Sequence, residues 1–153
     1  MLPPIHPDTL ATLYLRSCKW KGSEVFFADP LERVSGYAAS ERSLQLAAWL
    51  ASIGVAPGDR VAFLCKSSVR QALAWFGCIV RGAVACNLHV RETATRLGET
   101  LDWLGARIVL VDPDCAALAD EAITHARGSI VAHAIDDAWM ARVRATPPLA
   151  PAN

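Results

Sequence analysis

One joint between a helix and a strand occurs three times in this 153-residue chain. In each copy an amphipathic segment ends at a glycine, a small apolar residue follows, and an apolar strand begins. Glycine lacks a Cβ and suits the left-handed position just past a helix, where the next residue packs back on the last turn. The three joints are Ile53-Gly54-Val55, Arg81-Gly82-Ala83 and Leu104-Gly105-Ala106. Helices and strands that alternate at this spacing predict an α/β domain.

The strands predicted after these joints, at 61–65, 83–86 and 108–111, do not alternate between apolar and polar residues. A strand that is apolar on both faces is covered on both sides, which is typical of a parallel sheet between two layers of helices. The sequence therefore predicts a doubly wound, mainly parallel sheet flanked by helices. A type II turn at 56–59, with Pro57 and Gly58 at its centre, leads into the first strand.

Apolar residues three or four positions apart define three core helices. Their inward faces are Leu46, Leu50 and Ile53; Val69, Leu73, Phe76 and Val80; and Leu97, Leu101 and Leu104. Ser67 or Ser68 caps the second helix, which ends at Arg81. Weaker patterns predict helices at 10–18, 116–126 and 136–143 and strands at 24–28 and 129–134. The Pro-rich segment 146–153 is predicted to be a tail or linker, so that residues 1–145 form one unit.

Charge and hydropathy exclude several kinds of partner. Lys plus Arg and Asp plus Glu both number 15, and this balance gives no reason to expect nucleic acid or an anionic membrane. No apolar segment is long enough to span a membrane, and residues 1–8 lack the pattern of a signal peptide. The cysteines are odd in number and form no C-x-x-C pair, so we expect buried, reduced thiols in a cytoplasmic protein. They are Cys18, Cys65, Cys78, Cys86 and Cys115.

Motifs for nucleotide binding and nucleophilic catalysis are absent from the sequence. Neither G-x-G-x-x-G nor G-x-S-x-G occurs. Gly77 and Gly82 have the spacing of a phosphate loop, but Ala83 and Val84 follow in place of Lys and Ser or Thr. They also end a helix, whereas a phosphate cradle lies at the start of one.

Polar residues after the predicted strands offer three weak candidates. Cys86, His89 and Glu92 are spaced by three but lack the further ligands of a zinc site. Asp112 follows a strand, as an acceptor aspartate of a response regulator does, but no lysine exists downstream of position 66. His89 and Arg91 follow a strand on the carboxyl side of the sheet, where ligands gather in doubly wound folds. A functional role and a simple polar loop both remain open there, and we predict no catalytic, cofactor-binding or metal-binding residue in this chain.

Five motifs follow one another in a fixed order between residues 47 and 112. The first two are Leu-x-x-x-Gly-Val at 50–55 and Pro-Gly-Asp-Arg-Val at 57–61. Gly82-Ala83-Val84 and Leu88-His89-Val90-Arg91 follow. The last, at 106–112, is Ala-Arg, one further residue, three apolar residues and Asp. In this order and spacing the segment resembles the N-terminal region of the adenylate-forming superfamily, which contains the acyl-CoA synthetases. The expected fold is the corresponding N-terminal subdomain.

The resemblance implies a two-step reaction for a full-length parent enzyme. A small-molecule carboxylate attacks ATP to give an acyl-adenylate, and a thiol, often that of coenzyme A, then takes the acyl group. ATP, magnesium and coenzyme A are the cofactors implied for this parent. The family's phosphate loop and its magnesium, ribose and C-terminal lysine residues lie beyond the equivalent of residue 153.

We therefore expect an N-terminal fragment of an ATP-dependent acyl-CoA ligase that is inactive alone and has the remainder of the enzyme as its partner. The alternative is a non-catalytic binding or interaction module that retains the scaffold. The sequence does not identify the carboxylic acid.

Overall fold

A computed structural model describes residues 9–149, which form six α-helices, one short 3₁₀ helix (Pro113–Cys115) and six strands. The helices are α1 (Leu10–Lys21), α2 (Gly36–Ser52), α3 (Val69–Val80), α4 (Ala94–Leu104), α5 (Ala116–His125) and α6 (Asp137–Ala145). The strands are β1 (Val25–Ala28), β2 (Arg33–Ser35), β3 (Arg60–Leu64), β4 (Val84–Asn87), β5 (Ile108–Val111) and β6 (Val131–Ala134). The predictions for residues 1–8 and 150–153 lie outside the described residues. None of the helices within 9–149 combines the length and the apolar character needed to cross a membrane.

Strands β3 to β6 form one parallel sheet in the order β4-β3-β5-β6. The chain winds outward from β3 to β4, returns past β3 to β5, and continues to β6. Helices cover both faces, and this doubly wound arrangement confirms the predicted fold class. The direction of winding reverses between β3 and β5, so a topological switch point lies at their carboxyl ends. Strands β1 and β2 pair separately as an antiparallel hairpin.

All three predicted joints have the expected geometry past the helix end. The φ angles of the glycines are positive: 88° at Gly54, 79° at Gly82 and 61° at Gly105. The amide of the next residue donates a hydrogen bond to the carbonyl five positions earlier. These bonds are Val55 to Leu50 (2.9 Å), Ala83 to Cys78 (3.1 Å) and Ala106 to Leu101 (3.2 Å). The type II turn is confirmed too, with a φ of 85° at Gly58.

Alternate residues of the central strand β3 face two separate cores. Val61 and Phe63 pack in a core with α1, α2, α3 and α6, whereas Ala62 and Leu64 pack in a core with α4 and α5. All four are at most 1% exposed. Because side chains along a strand point alternately to opposite faces, a strand between two helical layers must be apolar throughout.

Two features of the strands differ from the sequence prediction. Strand β4 is less covered than its apolar sequence suggested, and Val84 is 48% exposed. The reason is its place at the edge of the sheet, where no strand among residues 9–149 pairs with its outer side. Strand β2 was not predicted, because Arg33–Ser35 is too short to show a period of two.

Helices α2 and α3 approach closely because α3 has a glycine at the contact. Gly77 is buried against α2, and a Cβ built on it would lie 2.4 Å from the Cβ of Leu46. Real side chains do not approach so closely, so this position excludes every residue larger than glycine unless the helices move apart. The spacing of Gly77 and Gly82 therefore reflects helix packing and a helix end rather than a phosphate loop.

Gly77→Ala should lower the free energy of unfolding by about 1–3 kcal/mol, because the added methyl group overpacks the contact with Leu46. Helix propensity alone predicts the opposite sign, since alanine is favoured over glycine in a helix by about 1 kcal/mol. Urea unfolding followed by circular dichroism measures the difference. Gly128→Ala is the control, because a Cβ there meets only a side chain at 3.7 Å. A stabilised Gly77→Ala variant would contradict the close contact.

Candidate functional site at the carboxyl edge of the sheet

A cleft of about 510 Å³ opens at the carboxyl ends of β3 and β5, which is the switch point of the sheet. Ligands of doubly wound proteins bind outside this edge, so the cleft is the place to look for functional groups. Charged side chains dominate its lining. They are the carboxylates Asp29, Glu32, Asp112, Asp114 and Asp137 and the cations Lys66 and Arg70.

Asp29, in the turn between β1 and β2, binds the first turn of α3. Its Oδ2 accepts a hydrogen bond from the amide of Val69 at 2.8 Å, and its Oδ1 accepts from the amides of Leu31 and Glu32, both at 2.8 Å. The bond from Val69 is the main reason why the pKa of Asp29 lies below its usual range, and the other two amides lower it further. One carboxylate thus holds the hairpin turn and the helix start together.

The N-terminus of α3 is consequently occupied by groups of the chain itself. Ser68 is the N-cap, and its Oγ accepts a hydrogen bond from the amide of Gln71 at 3.0 Å. A phosphate bound at a helix N-terminus uses these first-turn amides. Here Asp29 accepts from the amide of Val69 and Ser68 from that of Gln71, so two of the first-turn amides of the helix that follows β3 are already used within the chain.

Lys66 connects the loops that follow β3 and β5. Its amide donates to Asp112 Oδ2 at 2.5 Å, and its ammonium group pairs with Asp114 Oδ2 at 2.9 Å. The hydrogen bond to Asp114 raises the pKa of the Lys66 ammonium group above its usual value. Because both side chains are more than half exposed, the pair adds little to stability, but it neutralises the main positive charge of the cleft.

Arg70 connects α3 to the loop between β6 and α6. One guanidinium nitrogen donates to the carbonyl of Ile135 at 2.8 Å and the other to Asp137 Oδ1 at 2.6 Å. Glu32 pairs in turn with Arg42 of α2 at 2.9 Å. Every charged group that lines the cleft thus has a partner within the described chain.

Two cysteines near the cleft are poor nucleophiles. Burial raises the pKa of Cys65 to about 12, with a further contribution from Asp112, and the thiol donates to the carbonyl of Leu110 at 3.4 Å. Burial also raises the pKa of Cys115. Since the thiolate is the reactive form, both sulfurs stay protonated and inert at neutral pH. Cys65 and Cys115 pack in opposite cores, and all five cysteines are free.

Most residues singled out in the sequence lie away from this cleft. His89 and Arg91 form an exposed loop after the edge strand β4, where His89 Nδ1 accepts the Arg91 amide at 3.2 Å. Cys86 and Glu92 belong to no metal site, because no three His, Cys, Asp or Glu side chains of residues 9–149 are grouped to hold a metal ion. Asp112 does line the cleft, where it accepts from a backbone amide.

Sequence reasoning missed Asp29, Lys66 and Arg70. The partners that join each of them to another element lie 40 or more positions away along the chain, so no local period or motif connects them. The available signal was their place directly after a strand or at a helix start, because these positions meet at one edge once the strand order is known.

A larger groove, of about 610 Å³, lies at the opposite edge of the sheet. Arg60 at its wall donates from Nε to the carbonyl of Leu104, and Arg107 pairs with Asp59 at 3.3 Å. This is the amino edge, where doubly wound folds do not bind their ligands. The carboxyl cleft is therefore the better candidate for a functional site, although it is smaller than the amino-edge groove.

His133 of β6 lines the amino-edge groove and packs against α2. Its ring meets Trp49 edge to face, with centroids 5.1 Å apart. Partial burial, and to a lesser extent the charge of Arg142, lowers the pKa of His133 below 6.5. The folded protein therefore holds this imidazole neutral at a pH at which an unfolded chain would protonate it.

The fold is that of a known family. The model of the AMP-binding enzyme family matches residues 15–150. The chain therefore belongs to this family of adenylate-forming enzymes and corresponds to the N-terminal region of its members.

Several relatives are similar to the chain over part of their length. Chalcone synthase cfoA of Aspergillus candidus is 32% identical over 72% of the chain and 4% of that protein. The fatty acid–[acyl-carrier-protein] ligase ScoC of Streptomyces coeruleorubidus is 32% identical over 52% of the chain and 15% of that protein. The crystal structure of a benzoate CoA ligase from Burkholderia xenovorans LB400 superposes with a TM-score of 0.86 at 18% identity, over 94% of the chain and 30% of that structure. The chain thus spans less than a third of each of these proteins.

Asp29→Asn should lower the midpoint of thermal unfolding, because an amide group can no longer accept from all three backbone amides. The lowered pKa of Asp29 means that its contribution to stability is present above pH 4 and is lost as the pH falls through its folded pKa, below 3.8. Thermal unfolding scans between neutral and acid pH measure both effects. Asp120→Asn on the exposed face of α5 is the control. An equal shift in both variants would rule out a specific stabilising role for the hydrogen bonds of Asp29.

His133→Phe should remove an acid-sensitive part of the stability. The wild type loses stability as the pH falls below 6.5, because the unfolded state takes up a proton that the folded imidazole resists. Phenylalanine keeps the ring contact with Trp49 and does not titrate. Urea midpoints between pH 7 and about pH 5 should therefore fall less steeply in the variant. His125→Gln, at the exposed end of α5, should keep the wild-type slope.

Proposed function

We propose that this chain is the N-terminal scaffold of an ATP-dependent acyl ligase, which adenylates a carboxylic acid and transfers the acyl group to a thiol. Membership in the AMP-binding enzyme family supports the class of reaction. ScoC is a ligase of fatty acids with acyl-carrier protein, and the superposed structure is a benzoate CoA ligase. These relatives favour a carboxylic acid as the parent's substrate and a thiol as its acceptor. The free cysteines fit the reducing cytoplasm.

The observation that carries the scaffold role is the internal pairing of the carboxyl cleft. Adenylyl transfer needs preorganised donors and a metal ion at the phosphates. In this cleft the Val69 amide at the start of α3 binds Asp29, and the two cations bind Asp114 and Asp137. These internal pairings support a scaffold role, and we assign the binding of ATP, magnesium and coenzyme A to the remainder of the parent.

The edges of the sheet favour a scaffold over an independent interaction module. Val84 of β4 and Val131 of β6 are 48% and 53% exposed, on the two outer strands. A self-sufficient domain protects such edges with charges, prolines or covering loops. Uncovered apolar edge residues are expected where further parts of an enzyme pack.

ATP–pyrophosphate exchange tests the catalytic part of this proposal. The purified 153-residue chain should give no exchange above background with fatty, aromatic or amino acids, while a complete acyl-CoA ligase assayed in parallel should give a clear signal. The physical reason is that the Val69 amide, Lys66 and Arg70 are already bonded to Asp29, Asp114 and Asp137. Exchange catalysed by the chain alone would overturn the scaffold role.

Light scattering combined with thermal unfolding distinguishes the scaffold from the module. A scaffold with uncovered edges should self-associate as its concentration rises. A monomer with one cooperative unfolding transition would favour the interaction module instead.

A further inference from the structure

The amino-edge groove has an apolar floor that three neighbouring strands form together. Val61, Ile108 and Val131 are register partners in β3, β5 and β6. Because residues in register on parallel strands point to the same face of the sheet, their side chains lie side by side. The exposed fraction rises from 0% at Val61 to 53% at Val131. The floor is therefore open toward the outer strand β6.

The end of α2 forms the apolar wall of this groove. Trp49 of α2 packs on His133, the next residue of β6 on the same face. The helix ends at Ser52, and the joint Ile53–Val55 turns back to the sheet, so α2 stops short of Val131. The result is an apolar groove of about 610 Å³. Sites for small molecules have volumes of about 300–1,000 Å³.

The charged side chains that line the groove leave one positive charge without an acidic partner. Asp59 pairs with Arg107 at 3.3 Å. Arg60 donates from Nε to the carbonyl of Leu104, which is a neutral acceptor, and forms no ion pair with the described residues 9–149. Its guanidinium group lies across Gly105, where a Cβ would be only 3.1 Å from Nη2. The groove thus combines an apolar floor with one positioned guanidinium group.

We infer that the amino-edge groove binds a small amphipathic carboxylate, with the apolar body of the ligand on the floor and its carboxylate paired with Arg60. The planar guanidinium group matches a carboxylate in shape and charge. A neutral apolar compound would leave the charge of Arg60 unpaired, and inorganic phosphate has no apolar body for the floor. The reactants of doubly wound enzymes bind at the carboxyl edge, so this ligand is an additional one rather than a reactant.

The position of the groove agrees with the scaffold role. Its open side lies at Val131 of β6, where the proposed function places further parts of an enzyme. Sites for small molecules occur preferentially at interfaces between domains. The inference uses only residues of this chain and does not depend on the reaction of the parent.

Calorimetric titration of the complete 153-residue chain with octanoate tests the site, and methyl NMR locates it through shifts at Ile108 and Val131. 1-Octanol has the same apolar body without the charge and should bind about fivefold more weakly, the contribution of one exposed ion pair. Hexanoate should also bind several-fold more weakly, because it buries less apolar surface on the floor. Acetate should give no measurable binding.

Variants of the floor and of the charge separate the two parts of the site. Arg60→Gln should weaken octanoate binding about fivefold, whereas Arg60→Lys keeps the charge and should retain most of the affinity. Val131→Ser should weaken octanoate and 1-octanol alike. The controls are Arg91→Gln, in the exposed loop after β4, and Val25→Ser, on a valine of β1 that is 43% exposed. Both controls should bind like the wild type.

Several results would overturn the inference. They are the absence of octanoate binding, equal binding of octanoate and 1-octanol, and equal losses in the groove variants and their controls. A loss in Arg60→Gln that Arg60→Lys shares would show that the arginine acts through its bond to Leu104 and not through its charge. Thermal unfolding confirms that each variant is folded. ATP–pyrophosphate exchange measures the reaction separately, so a failure here leaves the proposed function standing.

Discussion

The three helix ends at the amino edge of the sheet are bonded to one another, and the register of the parallel strands depends on these bonds. Arg81 donates from Nε to the carbonyl of Val55 at 2.8 Å, which links the second joint to the first. The amide of Gly58 donates to the carbonyl of Gly82 at 2.8 Å. Arg60 donates from Nε to the carbonyl of Leu104, the first residue of the third joint. The strands therefore begin side by side at the amino edge, and the length of each strand determines where its carboxyl end lies.

This alignment of the strands explains why the loops at the carboxyl edge are bonded to one another. Once β3 and β5 end side by side, the loops after them come within hydrogen-bond distance, and Lys66 binds both following aspartates. Asp29 of the hairpin accepts from the amide of Val69, one of the first-turn amides that an anion bound at this helix would use. Charged groups that a catalytic site would direct at a substrate are here paired with other groups of the chain. The edge that positions ligands in other doubly wound proteins here carries bonds between the hairpin, α3 and the loops after β3 and β5.

Much of the fold was predictable, because its signals are local. Gly54, Gly82 and Gly105 mark helix ends through a conformation that only glycine adopts easily, and the apolar strands after them show double coverage through composition alone. The cleft was not predictable, since Asp29 and Val69 meet only through strand order. The edge position of β4 was missed for the same reason: an apolar strand has one sequence pattern whether its neighbour is present or not. The motifs at 50–61 and 106–112 did identify the family, because they combine several joints in one order.

The free edges have a geometric consequence of their own. All four strands of the sheet run in the same direction, and β4 and β6 lie at its two ends. The outer side of β4 in one molecule can therefore continue the outer side of β6 in the next, with the helices still on their proper faces. Such a head-to-tail contact can repeat from copy to copy, since neither molecule uses the same edge twice. Any segment that packs on either edge in a complete enzyme thus also prevents further copies from extending the sheet.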